Sequence, residues 1–161
     1  MSKYYKWTLD EPVVIDLNIL IRGRSFKFDD FHNKWCDITN NIMTISAQYS
    51  WDGCTPKRKL FNKFVIGTWD GPIIKSVRNI YICLQPNTKL LFKQLCYYPS
   101  LLHDVICQFH IGKKKLADLL FKYMLFQLKF KLAIVYYGAV RLASKIAGDK
   151  DGWLTEAWQG D

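Results

Sequence analysis

The pattern of apolar and polar positions changes near the middle of the chain. In the first half, short β-prone runs over 13–15, 26–28, 42–49 and 64–68 are bounded by Gly, Asn, Asp and Pro. Such runs are typical of short strands, and the residues between them have the chemistry of tight turns. We therefore expect a small antiparallel sheet in this half.

From residue 98 onward the apolar positions recur at helical spacing, and Gly and Pro become scarce. The pattern predicts three helices, over about 99–110, 113–128 and 129–146, which Gly112 and Gly148 terminate. The chain is therefore expected to be of the α+β class, with a small antiparallel sheet followed by a three-helix set.

A length of 161 residues, of which 50% are hydrophobic and 23% charged, fits one folded domain with one core. This composition excludes a disordered tail and a coiled coil. We expect a single domain over 1–148, strand-rich over 1–97 and helical over 98–148, followed by a C-terminal tail over 149–161.

The charge is strongly positive, with 23 Lys and Arg against 14 Asp and Glu and a formal net charge of +9. A basic protein favours anionic partners. The lysines of the helical half are interleaved with Leu, Phe and Tyr, which suits an anionic membrane surface or phospholipid better than nucleic acid. The alternative is a solvated helix face whose lysine stems cover the edge of the core. Oligomeric state is left open.

The five cysteines are odd in number and show no C-x-x-C pair, which favours buried thiols over a zinc site. The N-terminus lacks the apolar segment and cleavage site of a secretory signal. No strongly apolar run reaches the roughly 18 residues that a spanning helix needs. We expect synthesis in a reducing cytoplasm and no transmembrane helix.

A histidine and a carboxylate occupy equivalent positions on the first two predicted helices. His103 lies eight residues before the turn near Ile111-Gly112 and Asp118 six or seven after it, so both lie roughly 10–12 Å from the turn. If the helices pack antiparallel with these side chains facing, the two can form a hydrogen bond. A carboxylate that orients an imidazole leaves the other ring nitrogen available as a base.

Asp104 points about 100° away from His103 around the helix, so it faces another group, for which a cation is one candidate. The loop that contains Asp52 and Gly53 could supply further oxygen ligands for calcium. A zinc site is the alternative, because His110 shares the predicted helix face of His103 and could be joined by Asp118 or Asp104.

The segments Asp-Gly-Cys-Thr-Pro at 52–56, Leu-His-Asp at 102–104 and Ala-Asp-Leu-Leu-Phe at 117–121 together resemble the catalytic core of phospholipase A2. The resemblance implies that His103 activates water and that Asp118 orients the His103 ring. It further implies that calcium is bound by Asp104, Asp52 and Gly53.

By order of segments, residues 47–144 also resemble an uncharacterised family carried by bacteriophages and prophages, which shares Leu-His-Asp, Ala-Asp-x-x-Phe-x-x-x-Met and a final Ala-Val-Arg helix. This resemblance implies that the protein is made in the cytoplasm of a bacterial host. If it also contacts other virion proteins, it is incorporated in the virion. The expected function is a phospholipase-A2-like hydrolase. One alternative is a structural component of the tail, baseplate or capsid, and another is a zinc hydrolase of cell-wall bonds.

Overall fold

The computed structural model describes residues 7–21, 26–51, 53, 59–60, 64–65, 70–76, 78 and 80–146. Small antiparallel sheets in the N-terminal half are followed by three helices, which confirms the predicted α+β class. The tail expected over 149–161 lies outside the described residues.

The strands of the described residues are short, and all of them pair antiparallel. The strands are β1 (Trp7–Thr8), β2 (Val13–Asp16), β3 (Phe31–His32), β4 (Cys36–Thr39), β5 (Ile42–Ile45), β6 (Ser50–Trp51), β7 (Lys59–Leu60) and β8 (Phe64–Val65). The central sheet has four strands in the order β2-β5-β4-β3, and two ribbons pair β1 with β6 and β7 with β8. A short helix, α1 (Leu17–Ile21), follows β2.

The turn at Asn40-Asn41 sets the register of the central sheet. Thr39 pairs with Ile42, so the loop has two residues, and both have positive φ, 52° for Asn40 and 61° for Asn41. This backbone shape matches the right-handed twist of a hairpin, and asparagine tolerates it better than most residues. The register places Ile38 opposite Met43, and both side chains are fully buried.

The three long helices are α2 (Tyr97–Gln108), α3 (Lys114–Gln127) and α4 (Ala133–Ile146). α2 begins two residues earlier than predicted, and Pro99 falls in its first turn, where a missing N–H removes no helical hydrogen bond. α4 begins four residues later than predicted, because Lys129 takes a left-handed φ of 53° and ends α3. Within the described residues, no helix combines the length and apolarity needed to cross a bilayer.

One large core cluster joins the sheet to α2 and α3. A second, smaller cluster packs α4 against α3 and includes Phe121, Leu125, Ala133 and Tyr136. The large cluster contains Ile15, Ile38, Met43, Leu101, Leu102, Val105, Ile106, Leu120 and Met124, all of them fully buried. The sheet therefore fixes one side of the helical hairpin, and α4 covers another.

The chain around β6 runs antiparallel along α2 and is hydrogen bonded to it at two levels. The Tyr49 hydroxyl donates to Asp104 Oδ2 at 2.6 Å, and Trp51 Nε1 donates to Ser100 Oγ at 3.0 Å. Tyr49 is also 2.6 Å from the side-chain amide of Gln108. The amide atom that faces Tyr49 is Gln108 Oε1, so the single hydroxyl hydrogen has two acceptors, Asp104 Oδ2 and Gln108 Oε1.

The strand predicted over 26–28 is wrong. These residues lie outside the strands, and their backbone is held by the buried side chain of Asn41 instead. Asn41 Oδ1 accepts the Phe28 N–H at 2.7 Å, while its NH₂ group donates to the Phe26 carbonyl at 3.1 Å and to Asn18 Oδ1 at 3.0 Å. One amide side chain thus supplies the donor and the acceptor that a neighbouring strand would provide.

Replacing Asn41 with Ala should lower the free energy of unfolding by about 2–4 kcal/mol, because it leaves buried polar groups without hydrogen-bond partners and places Ala at a left-handed φ. Urea denaturation measures the loss. Asn40→Ala is the matched control: its φ is similar but its side chain is exposed, so it should cost only about 1 kcal/mol. Equal losses for the two variants would contradict the role given to the Asn41 amide.

Candidate functional site

The turn between α2 and α3 brings His103 and Asp118 to the same level. The Ile111 N–H donates to the Ile106 carbonyl at 3.0 Å, and Gly112 takes a φ of 71°, which lets the chain reverse. The expected hydrogen bond is present, with 2.7 Å between His103 Nε2 and Asp118 Oδ1. The roles of base and orienting carboxylate stay predictions.

Asp118 is fully buried and binds three donors from three helices. Besides His103 on α2, Lys114 on α3 donates to the same oxygen, Oδ1, and Arg141 Nη1 on α4 donates to Oδ2 at 3.0 Å. The Lys114 side chain is only 2% exposed, whereas Arg141 is 31% exposed. One carboxylate therefore links all three long helices.

These contacts keep Asp118 ionised. Burial raises the pKa of this carboxyl, but the hydrogen bond from His103 and the charge that its ring carries at acid pH, followed by the charge and hydrogen bond of Lys114, outweigh burial and lower the pKa to about 2. Burial lowers the pKa of His103, and the charge of Lys114 adds to this, while the bond to Asp118 opposes it. The site therefore holds a charged carboxylate against a neutral imidazole near neutral pH.

The partners of Nε2 determine the tautomer of His103. A neutral imidazole has one donor and one acceptor nitrogen, and Asp118 Oδ1 can only accept. Nε2 therefore carries the hydrogen, although Lys114 Nζ, another donor, lies 3.3 Å from it. Nδ1 is left as the nitrogen that can take a proton. The side chain of His103 is 19% exposed, so this ring is only partly covered.

Cys107 lies one turn after His103 but is not placed as a nucleophile. Its sulfur is 3.9 Å from Nδ1 and 3.8 Å from Nε2. A thiol hydrogen bonded to one ring nitrogen would lie closer to that nitrogen, and the nearly equal distances show that the sulfur is not directed at either nitrogen in particular. Phe121 contacts the same ring edge to face, with 5.7 Å between centroids.

The residues expected to bind calcium are not brought together in the described part of the chain. Asp104 accepts the Tyr49 hydroxyl. A Cβ built on Gly53 would meet Asp70 and Trp7, and the Trp7 ring packs on Tyr97 at the start of α2. Asp104 lies seven residues, or about 10 Å along the axis, beyond Tyr97.

Asp52 lies outside the described residues, and those described contain no group of three or more His, Cys, Asp or Glu side chains that could hold a metal ion. The calcium expectation therefore stays a prediction. The zinc alternative required His110 on the helix face of His103, but α2 ends at Gln108 and His110 takes a left-handed φ of 52° beyond it.

The sequence reasoning missed Lys114 and Arg141. Lys114 is the middle residue of the run Lys113-Lys114-Lys115, and its spacing of four residues from Asp118 on one helix is a signal for an ion pair. Arg141 lies 23 residues from Asp118, and no local pattern indicates which way its side chain points.

The hydrogen-bonded pair of His103 and Asp118 should make the free energy of unfolding depend on pH in two steps. The unfolded chain protonates His103 near 6.5, whereas the folded chain does so only at a lower pH, so stability falls as pH drops below about 6.5. Asp118 has a folded pKa of about 2 against the ordinary aspartate value of 3.8, so a further loss of about 2 kcal/mol follows between those values. Urea midpoints at about pH 7.5, 5 and 2 measure both steps.

His103→Gln should remove the upper step, whereas His32→Gln, at a histidine whose side chain is 62% exposed, should leave it unchanged. An upper step that survives His103→Gln would contradict the assignment.

Asp118→Asn should cost about 3–5 kcal/mol at neutral pH, because it leaves the buried Lys114 ammonium without its counter-charge.

Comparison of the chain with protein-family models, with curated proteins and with solved structures finds no match. The family relationships that the sequence motifs imply therefore stay predictions. Function is therefore inferred from the chemistry that His103, Asp118 and their neighbours can perform.

Proposed function

We propose that the protein is an ester hydrolase that acts at an anionic lipid surface, with His103 as the general base. The observation that carries the proposal is the 2.7 Å hydrogen bond between His103 Nε2 and the fully buried Asp118. It fixes one nitrogen as a donor and leaves Nδ1 to accept a proton. Because burial keeps the imidazole neutral, this base is available at neutral pH.

In the proposed reaction, His103 Nδ1 takes a proton from water while the water oxygen attacks the ester carbonyl carbon. The imidazolium that forms donates through Nε2 to Asp118, whose negative charge stabilises it. The carbon–oxygen bond to the alcohol then breaks, and His103 returns the proton to the departing alkoxide. The products are a carboxylic acid and an alcohol, and the histidine is neutral again.

The charges around Asp118 supply stabilisation for the oxyanion of this reaction. Lys114 and Arg141 are two cations on one carboxylate, so the network carries one net positive charge while His103 is neutral. Lys114 is enclosed, but a third of Arg141 is exposed, and its guanidinium has five donors in a planar fork. We assign Arg141 to the developing oxyanion, where a fixed positive charge lowers the barrier.

The exposed face of α4 suits an anionic lipid surface. Ile134, Val135 and Leu142 on this helix are 66%, 63% and 57% exposed. Between residues 105 and 146 the only acid in the sequence is Asp118, which is buried, while eight residues are Lys or Arg. A face that combines exposed apolar side chains with positive charge binds at the boundary between lipid headgroups and acyl chains.

Hydrolysis of mixed-chain phospholipid vesicles tests the chemistry. Wild-type protein should release fatty acid, and His103→Asn should lower the rate by about 10²–10⁴-fold, the usual contribution of a general base. His32→Asn is the matched control and should keep the full rate. Circular dichroism and a urea midpoint establish that each variant is folded.

Parallel reactions with added calcium and with a chelator test the metal that the phospholipase resemblance implies. Release that needs calcium would direct attention to Asp104 and Asp52. An unchanged rate in His103→Asn, or no release by folded wild-type protein under either condition, would overturn the proposal that His103 is the base of a lipid hydrolase.

Vesicle co-sedimentation tests the lipid surface separately. The protein should bind phosphatidylcholine vesicles only when phosphatidylglycerol is included, and added salt should weaken the binding. Ile134→Glu and Val135→Glu should each weaken it by about tenfold or more, because each removes a large apolar contact with the bilayer. Ile82→Glu, at an isoleucine that is 52% exposed outside α4, should bind like wild type. Equal binding to both vesicle types would contradict the assignment.

A structural role in a larger assembly is the second candidate function, favoured by the same exposed face of α4 together with the exposed Ile80, Ile82 and Phe92. Under this alternative, Asp118 only joins the helices, and a protein surface covers the apolar side chains. It predicts that Val135→Glu prevents incorporation into the assembly, while His103→Asn affects neither assembly nor any release of fatty acid.

A further inference from the structure

A cleft of about 640 Å³ lies on the side of α3 away from His103. Its walls are the 26–31 segment, the turn between α2 and α3, and the first three turns of α3. The volume falls in the range of small-molecule sites, roughly 300–1,000 Å³. Neither His103 nor Asp118 lines it, so the cleft is separate from the proposed hydrolytic site.

The interior of the cleft is apolar. Phe26 and Phe28 form one wall, with 5.1 Å between ring centroids, and Leu116, Leu119 and Tyr123 of α3 line the other. At its end, a Cβ built on Gly112 would lie 3.9 Å from the Phe28 ring, so the turn approaches this wall closely. The apolar walls can enclose a hydrocarbon chain.

The phenylalanine wall is fixed in place. Asn41 bonds the backbone of Phe26 and of Phe28 on the side of the sheet, and the Phe28 side chain is 2% exposed. The opposite wall belongs to a regular helix. Both walls are therefore set before a ligand arrives, which reduces the ordering cost of binding.

Charged side chains surround the opening. Lys113 and Lys115 lie at the start of α3, with Lys27 on the other wall, and Asp29 and Asp30 also line the cleft. Asp30 accepts the Asn40 N–H at 3.4 Å. The end of the cleft at the α2–α3 turn therefore carries two lysines, and the positive end of the α3 dipole adds to their field.

We propose that this cleft binds a single-chain amphiphile with an anionic head group. The chain lies between the Phe26–Phe28 wall and the α3 wall, and the head group lies at Lys113 and Lys115. This assignment goes beyond the proposed hydrolysis and does not depend on His103.

Isothermal titration with decanoate, 1-decanol and decyltrimethylammonium, each below its micelle concentration, tests the proposal. Decanoate should bind one per chain, with 1-decanol about tenfold weaker and the cationic amphiphile weaker still. The double variant Lys113→Gln with Lys115→Gln should weaken decanoate binding by about five- to twentyfold and leave 1-decanol unaffected. Lys129→Gln with Lys131→Gln, at two exposed lysines outside the cleft, is the control and should bind like wild type.

Leu119→Glu tests the apolar wall. It adds a carboxylate at a half-exposed position of α3 and should weaken decanoate binding by about tenfold or more, whereas the exposed Ile73→Glu outside the cleft should not. Equal affinity for decanoate and 1-decanol, or unchanged binding in the lysine double variant, would overturn the assignment of the head group. Absence of decanoate binding, or full binding by folded Leu119→Glu, would overturn the site itself.

Discussion

The helical half of this protein depends on one buried carboxylate. Asp118 has no solvent exposure, and it survives as an anion because Lys114 and Arg141 neutralise it and His103 donates to it. Each of these partners comes from a different helix. Loss of one partner of a buried ion pair costs about 3–5 kcal/mol, a large fraction of the 5–15 kcal/mol that stabilises a typical domain. The packing of α4 on the hairpin of α2 and α3 is therefore coupled to the charge state of one side chain.

The same constraint shapes the chemistry. Because several hydrogen bonds hold the Asp118 carboxylate in place, it cannot move with the imidazole. The ring of His103 therefore takes the orientation in which Nε2 can donate to Asp118. Burial, helped by the charge of Lys114, lowers the pKa of His103 and favours the neutral ring. The excess positive charge of the network also provides a field that favours negative charge on a reacting oxygen. The same side chains therefore stabilise the fold and form the proposed site of proton transfer. A substitution that tests proton transfer also changes stability.

Much of the architecture follows from local signals. The change from strand to helix pattern and the equal distances of His103 and Asp118 from the turn between their helices are both evident from residue spacing. The position of 26–28 was not, because a single distant side chain, Asn41, replaced the strand ladder that its composition suggests. Nor could the sequence distinguish Lys114 from its exposed neighbours Lys113 and Lys115, since burial depends on where the third helix lies. Arg141 belongs to the site only because α4 folds back on the hairpin.

The path of residues 49–51 along α2 has a consequence for synthesis on the ribosome. Tyr49 and Trp51 belong to the strand-rich half, yet their polar groups bond to Ser100 and Asp104, which emerge about fifty residues later. Until then, the large apolar surface of Trp51, fully buried in the finished protein, has no helix to cover it. A nascent or truncated chain that ends before α2 leaves this surface without its helical cover and is prone to self-association, so the β1–β6 ribbon is fully packed only after α2 has been made.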